Sequence, residues 1–66
     1  MTAKEKAIKI YTEFFELTPE WLENTEAINL ARLNSTIAVK LVLSTDLYSS
    51  DRDYWIQVYE HIIHKL

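Results

Sequence analysis

The sequence predicts a single all-α domain over residues 1–66, a small compact bundle of three main helices plus one short helix. The chain contains no glycine, the residue that hairpin turns, bulges and phosphate-binding loops use for positive φ angles. Apolar residues make up 48% of the chain, which is too many for a disordered segment. They recur at helical spacing between recognisable helix caps, so a helical bundle is the expected fold.

The first helix is expected to follow Thr2 and to continue to about Leu17. Thr2 and Glu5 have the spacing of a capping box, in which each side chain bonds the backbone N–H of the other residue. On a helical projection the apolar residues fill about half of the circumference, and lysines and glutamates fill much of the other half. This pattern predicts one packed face and one solvated face.

Thr18 and Pro19 predict the end of the first helix and the start of a short second one. The residue before a proline avoids the helical region, and proline suits the first position of a helix. We expect a single turn of helix from Thr18 to about Glu23, carrying Trp21 and Leu22.

The longest apolar segment runs from Thr25 to about Thr45 and predicts the central helix. Its apolar positions cover well over half of the circumference, which is typical of a helix buried on several sides. Asn34 falls on the apolar side, so either it is a partly buried polar residue in a continuous helix, or Asn34 and Ser35 cap a break between two shorter helices. We favour the continuous helix because no proline or glycine enforces a break.

Residues 45–50 have the composition of a loop, and the last helix is expected to follow with Ser50 as its N-cap. Asp51 and Asp53 then lie in the first turn, where the helix dipole favours negative charge. The apolar face of this helix is wide and consists of Tyr54, Trp55, Val58, Tyr59, Ile62, Ile63 and Leu66.

The composition excludes several classes of function. Without cysteine the chain has neither disulfides nor the common zinc frameworks, and without glycine it lacks phosphate-binding loops and nucleophile elbows. The serines are not grouped with the histidines, so we expect no enzymatic activity and no cofactor. Charges interrupt the first 16 residues, unlike a signal peptide, and no apolar run reaches the length of a membrane span. We therefore expect a cytoplasmic protein that does not enter membranes.

The segment EHIIH at residues 60–64 contains both histidines of the chain. Glu60, His61 and His64 lie on neighbouring turns of a helix and could supply three metal ligands. However, Glu60 and His61 diverge by about 100° around the axis, and there is no third histidine. We favour the interpretation that these residues end the helix, where the dipole favours positive groups. A metal site remains the minority hypothesis.

A run of glutamates predicts a negative patch where the first two helices meet. No lysine or arginine lies between Lys9 and Arg32, although the whole chain has a net charge of only −3. The patch could contact a basic surface of a partner or be a solvated corner, which is the simpler interpretation. A mimic of DNA would be more acidic overall. The residues of the patch are Glu13, Glu16, Glu20, Glu23 and Glu26.

The loop before the last helix also allows a helix-turn-helix-like, DNA-binding regulator as an alternative. In that case the N-terminal residues of the last helix would face bases and phosphates. Asp51 and Asp53 oppose such contacts, and Arg52 is the only positive charge in the first three turns. Binding to nucleic acid is therefore disfavoured.

The aromatic residues point to contact with another protein. The chain has two tryptophans, four tyrosines and two phenylalanines, more rings than so small a bundle can bury, and tryptophan and tyrosine are favoured in interface cores. We predict a non-enzymatic regulator, adaptor or inhibitor, of the kind that phages and mobile elements encode, that binds another protein and forms a homodimer. Asn34 could set the register of the dimer. The predicted partner-binding residues are Trp21, Tyr48, Tyr54, Trp55 and Tyr59.

Overall fold

Three α-helices form the fold in the computed structural model, which describes residues 1–65 and the side chains of residues 1–64. Helix α1 spans Ala3–Glu16, α2 spans Asn24–Leu43 and α3 spans Ser49–Lys65. Each helix packs against the other two. The predicted helical bundle is confirmed for this part of the chain. Leu66, predicted on the apolar face of the last helix, lies outside it.

The predicted capping box at the start of α1 is confirmed. The Thr2 backbone N–H donates to Glu5 Oε1 at 3.0 Å, and the Glu5 backbone N–H donates to Thr2 Oγ1 at 3.1 Å. The two bonds satisfy N–H groups that have no partner within a helix. At the other end of α1, the Thr18 hydroxyl donates to the Phe15 carbonyl at 2.6 Å.

The predicted short helix after Pro19 is not present. Residues 17–23 form turns instead, with a hydrogen bond from the Leu22 N–H to the Pro19 carbonyl at 3.2 Å. Helix α2 already begins at Asn24, so at most one helical turn could fit between Pro19 and α2. A single turn is unfavourable because it fixes several residues for one hydrogen bond.

Helix α2 is continuous through Asn34 and Ser35, as favoured from the sequence. The Ser35 side chain is buried, and its hydroxyl donates to the Ala31 carbonyl of the preceding turn at 2.6 Å. The polar group is therefore satisfied without a break in the helix. The N-cap of α2 is Glu23, whose side chain makes no capping hydrogen bond. The helix thus starts one residue before Thr25, where the central segment was expected to begin.

Helix α3 begins at Ser49, two residues earlier than Asp51, the first helical residue that Ser50 as N-cap predicted. The Arg52 N–H already bonds the Tyr48 carbonyl at 2.9 Å. Ser50 therefore lies in the first turn of α3 and is not its N-cap.

Two contacts define the ends of the bundle. The Tyr54 hydroxyl donates to the Met1 carbonyl at 3.2 Å, which joins the starts of α1 and α3. Arg52 Nη1 donates to the Leu43 carbonyl at 3.1 Å, which joins the start of α3 to the end of α2. Helices α1 and α3 therefore run in the same direction and α2 runs in the opposite one. The α1–α2 turn lies at one end of the bundle, and the α2–α3 turn lies at the other.

The prediction that the central helix is buried on several sides is wrong. Its buried positions follow one another at intervals of four residues and form a single stripe toward α1 and α3. These positions are Ala27, Ala31, Ser35 and Val39. The other side of α2 faces solvent, because a bundle of three helices covers only one side of each.

Candidate interaction surfaces

The bundle has its small side chains inside and many of its large ones outside. Within residues 1–64 no leucine and no aromatic residue is fully buried, and Ile62 is the largest side chain that is. Small residues let helices approach closely, but they leave no room between the helices for larger ones. The large apolar side chains are therefore displaced toward the surface. The buried residues are Ala3, Ala7, Ala27, Ala31, Ser35, Val39, Val58 and Ile62.

The exposed side of α2 carries a continuous apolar stripe. Its members follow one another at intervals of three or four residues, so they lie on one face of the helix. This face lies roughly 135° around the axis from the buried stripe and is about 16 Å long. The exposed fraction of its side chains ranges from 36% to 64%. We call this surface the α2 stripe; it consists of Leu30, Leu33, Ile37 and Leu41.

Asn34 lies at the edge of the α2 stripe, one turn from Leu30 and from Ile37 along the helix. Its side chain is half-buried. A polar side chain among apolar ones restricts the alignments in which two helices can pair. Its position therefore allows the predicted role in the register of a dimer.

The predicted partner-binding aromatic residues fall into two groups. Tyr54, Trp55 and Tyr59 are half-buried and pack against the core. Trp21 and Tyr48 are 81% and 83% exposed, in the two turns that lie at opposite ends of the bundle.

The half-buried rings also make contacts within the chain. Lys6 Nζ lies 5.8 Å from the centre of the Trp55 ring, and Lys40 Nζ lies 6.0 Å from that of Tyr59. Both distances are within the range of cation–π attraction. These two rings therefore already have partners in the fold, whereas Trp21 and Tyr48 project into solvent.

All five glutamates of the predicted acidic patch are exposed. They lie in the second half of α1, in the α1–α2 turn and at the start of α2. The structure thus places them at the same end of the bundle as Trp21.

A depression of about 270 Å³ opens between the turn and the two helices that it joins. Phe15, Leu22 and Ala27 supply apolar side chains to its lining, and Glu16 and Glu20 are charged members of it. We call this region the acidic corner; it consists of the depression, the five glutamates and the neighbouring Leu17 and Trp21.

The EHIIH segment divides between the two sides of α3. Ile62 is fully buried, His61 is half-buried, and Glu60 and His64 are exposed. Among the residues that the structure describes, no three histidine, aspartate or glutamate side chains converge so that they could hold a metal ion.

The α2 stripe is the surface that sequence reasoning missed, because its residues were assigned to the core of a helix buried on several sides. The pattern of α2 contains a signal that could have found it. Alanine and serine recur every four residues from Ala27 to Ser35, and small residues at that spacing are typical of a close contact between helices. The larger residues on the other side are then left for the surface.

The comparisons with known proteins give no relative of this chain. No protein-family model matches it, and neither a curated protein nor a solved structure is significantly similar to it. Within the described residues, no helix has the length and hydropathy needed to span a membrane.

Proposed function

We propose that this protein is a non-enzymatic protein–protein interaction module, a regulator, adaptor or inhibitor, that works as a homodimer formed through the α2 stripe. The observation that carries the proposal is the exposure of Leu30, Leu33, Ile37 and Leu41 on a side of α2 that neither α1 nor α3 covers. An apolar surface on a small chain is a site for association. A second copy of the chain supplies a matching surface of the same length.

The size of the stripe sets the strength expected for the dimer. Its four side chains together expose the equivalent of about two whole leucine residues. Burying these in both copies contributes about 6–12 kcal/mol, and association costs about 4 kcal/mol or more. The upper estimate of the burial energy and the lower estimate of the association cost together give a binding free energy of about 8 kcal/mol, which corresponds to a Kd of about 1 μM. We therefore expect a dimer that forms at micromolar concentrations or above.

Charge favours an antiparallel arrangement of the two α2 helices. In a parallel dimer the two acidic corners would lie side by side, and so would the two Lys40 side chains. In an antiparallel dimer the Glu26 end of one α2 lies near the Lys40 end of the other. The two helix dipoles then point in opposite directions, which is the favourable arrangement. The acidic corners are then separated by about 30 Å, the length of a 20-residue helix. This distance is well beyond the Debye length at physiological salt, which is about 8 Å.

The contacts of α3 give no support to the alternative of a DNA-binding regulator. Arg52, the positive charge in its first turn, donates to the carbonyl of Leu43 at the end of α2. Asp51 and Asp53 beside it are exposed. A recognition helix needs the opposite sign of charge at this position.

Analytical ultracentrifugation between about 1 and 300 μM tests the dimer, a range set by the estimated Kd. We expect the wild-type chain to shift from monomer to dimer across this range, and Ile37→Lys to remain a monomer. Ile8→Lys is the matched control, since Ile8 is a similarly exposed isoleucine on α1, and it should dimerise like the wild type. Circular dichroism checks that each variant is folded.

The proposal fails if the wild-type chain is still a monomer at about 300 μM, well above the estimated Kd. It fails equally if Ile8→Lys disrupts association as much as Ile37→Lys does. Should Ile37→Lys not fold, the melting temperature of the wild-type chain decides. A dimer melts at a lower temperature after a tenfold dilution, and a monomer does not.

A further inference from the structure

The depression at the acidic corner has the dimensions of a site for protein side chains. Its volume of about 270 Å³ lies below the range of about 300–1,000 Å³ that is typical of pockets for small molecules. Phe15 and Leu22 contribute apolar side chains to its lining, and the depression is open to solvent. These features suit one or two apolar side chains that project from the surface of another protein.

Two exposed apolar side chains extend the corner beyond the depression. Leu17 is 79% exposed and Trp21 is 81% exposed, and both lie in the turn that forms one wall. Tryptophan is one of the residues that contribute most to binding energy at interfaces. The corner therefore combines a shallow apolar depression with an adjacent aromatic side chain that a partner could cover.

The charge around this apolar surface determines the chemistry of its partner. Glu16 and Glu20 line the depression, and Glu13, Glu23 and Glu26 are exposed at the same end of the bundle. The nearest cations in the sequence are Lys9 and Arg32. A negative rim attracts a positive surface and repels a negative one, which excludes nucleic acid and acidic proteins. A partner that fits must present apolar side chains flanked by lysine or arginine.

We propose that the acidic corner binds a basic amphipathic helix of a partner protein, with an apolar residue of that helix in the depression and its lysines or arginines against the glutamates. Amphipathic helices bind apolar grooves through residues spaced three and four apart. A second copy of this chain does not fit, because α1 carries three glutamates as well as its three lysines. The inference rests on the proposed interaction module, but it concerns a surface distinct from the α2 stripe.

A designed peptide tests the inference directly. The probe is an 18-residue amphipathic helix of leucine and lysine, titrated into the Trp55→Phe variant, in which Trp21 is the one remaining tryptophan. We expect saturable binding of one peptide per chain, with a shift of the Trp21 emission to shorter wavelength as the ring leaves water. A peptide with glutamate in place of lysine should not bind, and neither should polylysine, which lacks apolar residues.

Matched variants locate the site. Trp21→Ala in the wild-type chain should weaken binding measured by calorimetry by about tenfold or more. Tyr48→Ala should leave it unchanged, since Tyr48 is equally exposed at the other end of the bundle. Replacing Glu16, Glu20 and Glu23 together by glutamine should weaken binding by about tenfold at low salt. The matched control replaces the acidic residues at the other end, Asp46, Asp51 and Asp53, by asparagine.

Several results would overturn the inference: no binding of the amphipathic peptide, binding of polylysine with equal affinity, or equal losses in Trp21→Ala and Tyr48→Ala. The Ile37→Lys variant separates this inference from the proposed dimer. If the peptide binds at the corner, Ile37→Lys retains the full affinity for it whether or not the chain dimerises. If Ile37→Lys loses the peptide while the corner variants retain it, the peptide binds the α2 stripe and the corner is not the site.

Discussion

Ile62→Ala is the substitution that tests most directly where the core lies. Ile62 is fully buried at the centre of the bundle, in contact with the cluster of Ala3, Ala7, Val39 and Val58. The change removes three carbon groups at about 0.8 kcal/mol each, and the space left behind adds to the loss. We expect the free energy of unfolding to fall by about 3–4 kcal/mol. A chain of this length has a total of about 3–10 kcal/mol, so the loss is a large fraction of its stability.

Ile56→Ala provides the control because the same atoms are removed from the same helix. Ile56 is 37% exposed, so water fills the space and no closed cavity forms; we expect a loss of about 1.5 kcal/mol or less. Urea unfolding followed by circular dichroism measures both values. The protein concentration must be equal, because dimerisation adds to apparent stability. If Ile56→Ala were as destabilising as Ile62→Ala, the assignment of the core would be refuted.

Three smaller effects also follow from the structure. Ser35→Ala should change the free energy of unfolding by less than about 1 kcal/mol, because the Ser35 hydroxyl bonds only a carbonyl of its own helix. Ser35→Leu should lower the free energy of unfolding by about 1–3 kcal/mol, because a larger side chain overpacks this buried position. Urea unfolding measures both values. The hydrogen bond from the Thr2 backbone N–H, and to a lesser extent that from the Thr2 side chain, lowers the pKa of Glu5. The contribution of Glu5 to capping is therefore complete above the ordinary pKa of a glutamate and disappears as the pH falls through the lowered pKa of Glu5. The difference in stability between the wild type and Glu5→Ala should become smaller in acid. Thermal melts at several pH values measure this difference. Tyr54→Phe removes the hydroxyl that donates to the Met1 carbonyl, and unfolding measurements should show a loss of about 0.5–1.5 kcal/mol; an unchanged value would mean that this bond does not hold the start of α1.

Much of the fold could be predicted from local signals in the sequence. The capping box of Thr2 and Glu5 predicts the start of α1 to the residue, because the two side chains and the two N–H groups interact within one turn. Pro19 predicts the end of α1 for a similarly local reason. The prediction of a further short helix after Pro19 was wrong. Such a helix can form only if enough residues separate Pro19 from α2, and the sequence placed the start of α2 slightly too late.

The arrangement of the helices was harder to predict because it depends on which apolar face is covered. On a projection of α2, leucine and isoleucine positions look like core and alanine positions look neutral. In the bundle Ala27 and Ala31 are buried and most of the leucine and isoleucine positions are exposed, because these two alanines and Ser35 allow the neighbouring helices to approach closely. Periodicity identifies an apolar face but does not say whether the chain itself or another chain covers it.

The two proposed surfaces lie on different parts of each chain, and this has a consequence for the assembly. In the antiparallel dimer the α2 stripe is buried along the axis of the bundle, while each acidic corner remains open at its end. The two corners are then about 30 Å apart, too far to share one short helix or to repel each other at physiological salt. Each chain of the dimer would therefore bind its basic helix independently, with equal affinity for the first and the second. A partner with two such helices, joined by a linker long enough to span the two corners, would bind the dimer more tightly than it binds a monomer. Ile37→Lys would remove this gain in affinity and leave the binding of a single helix intact.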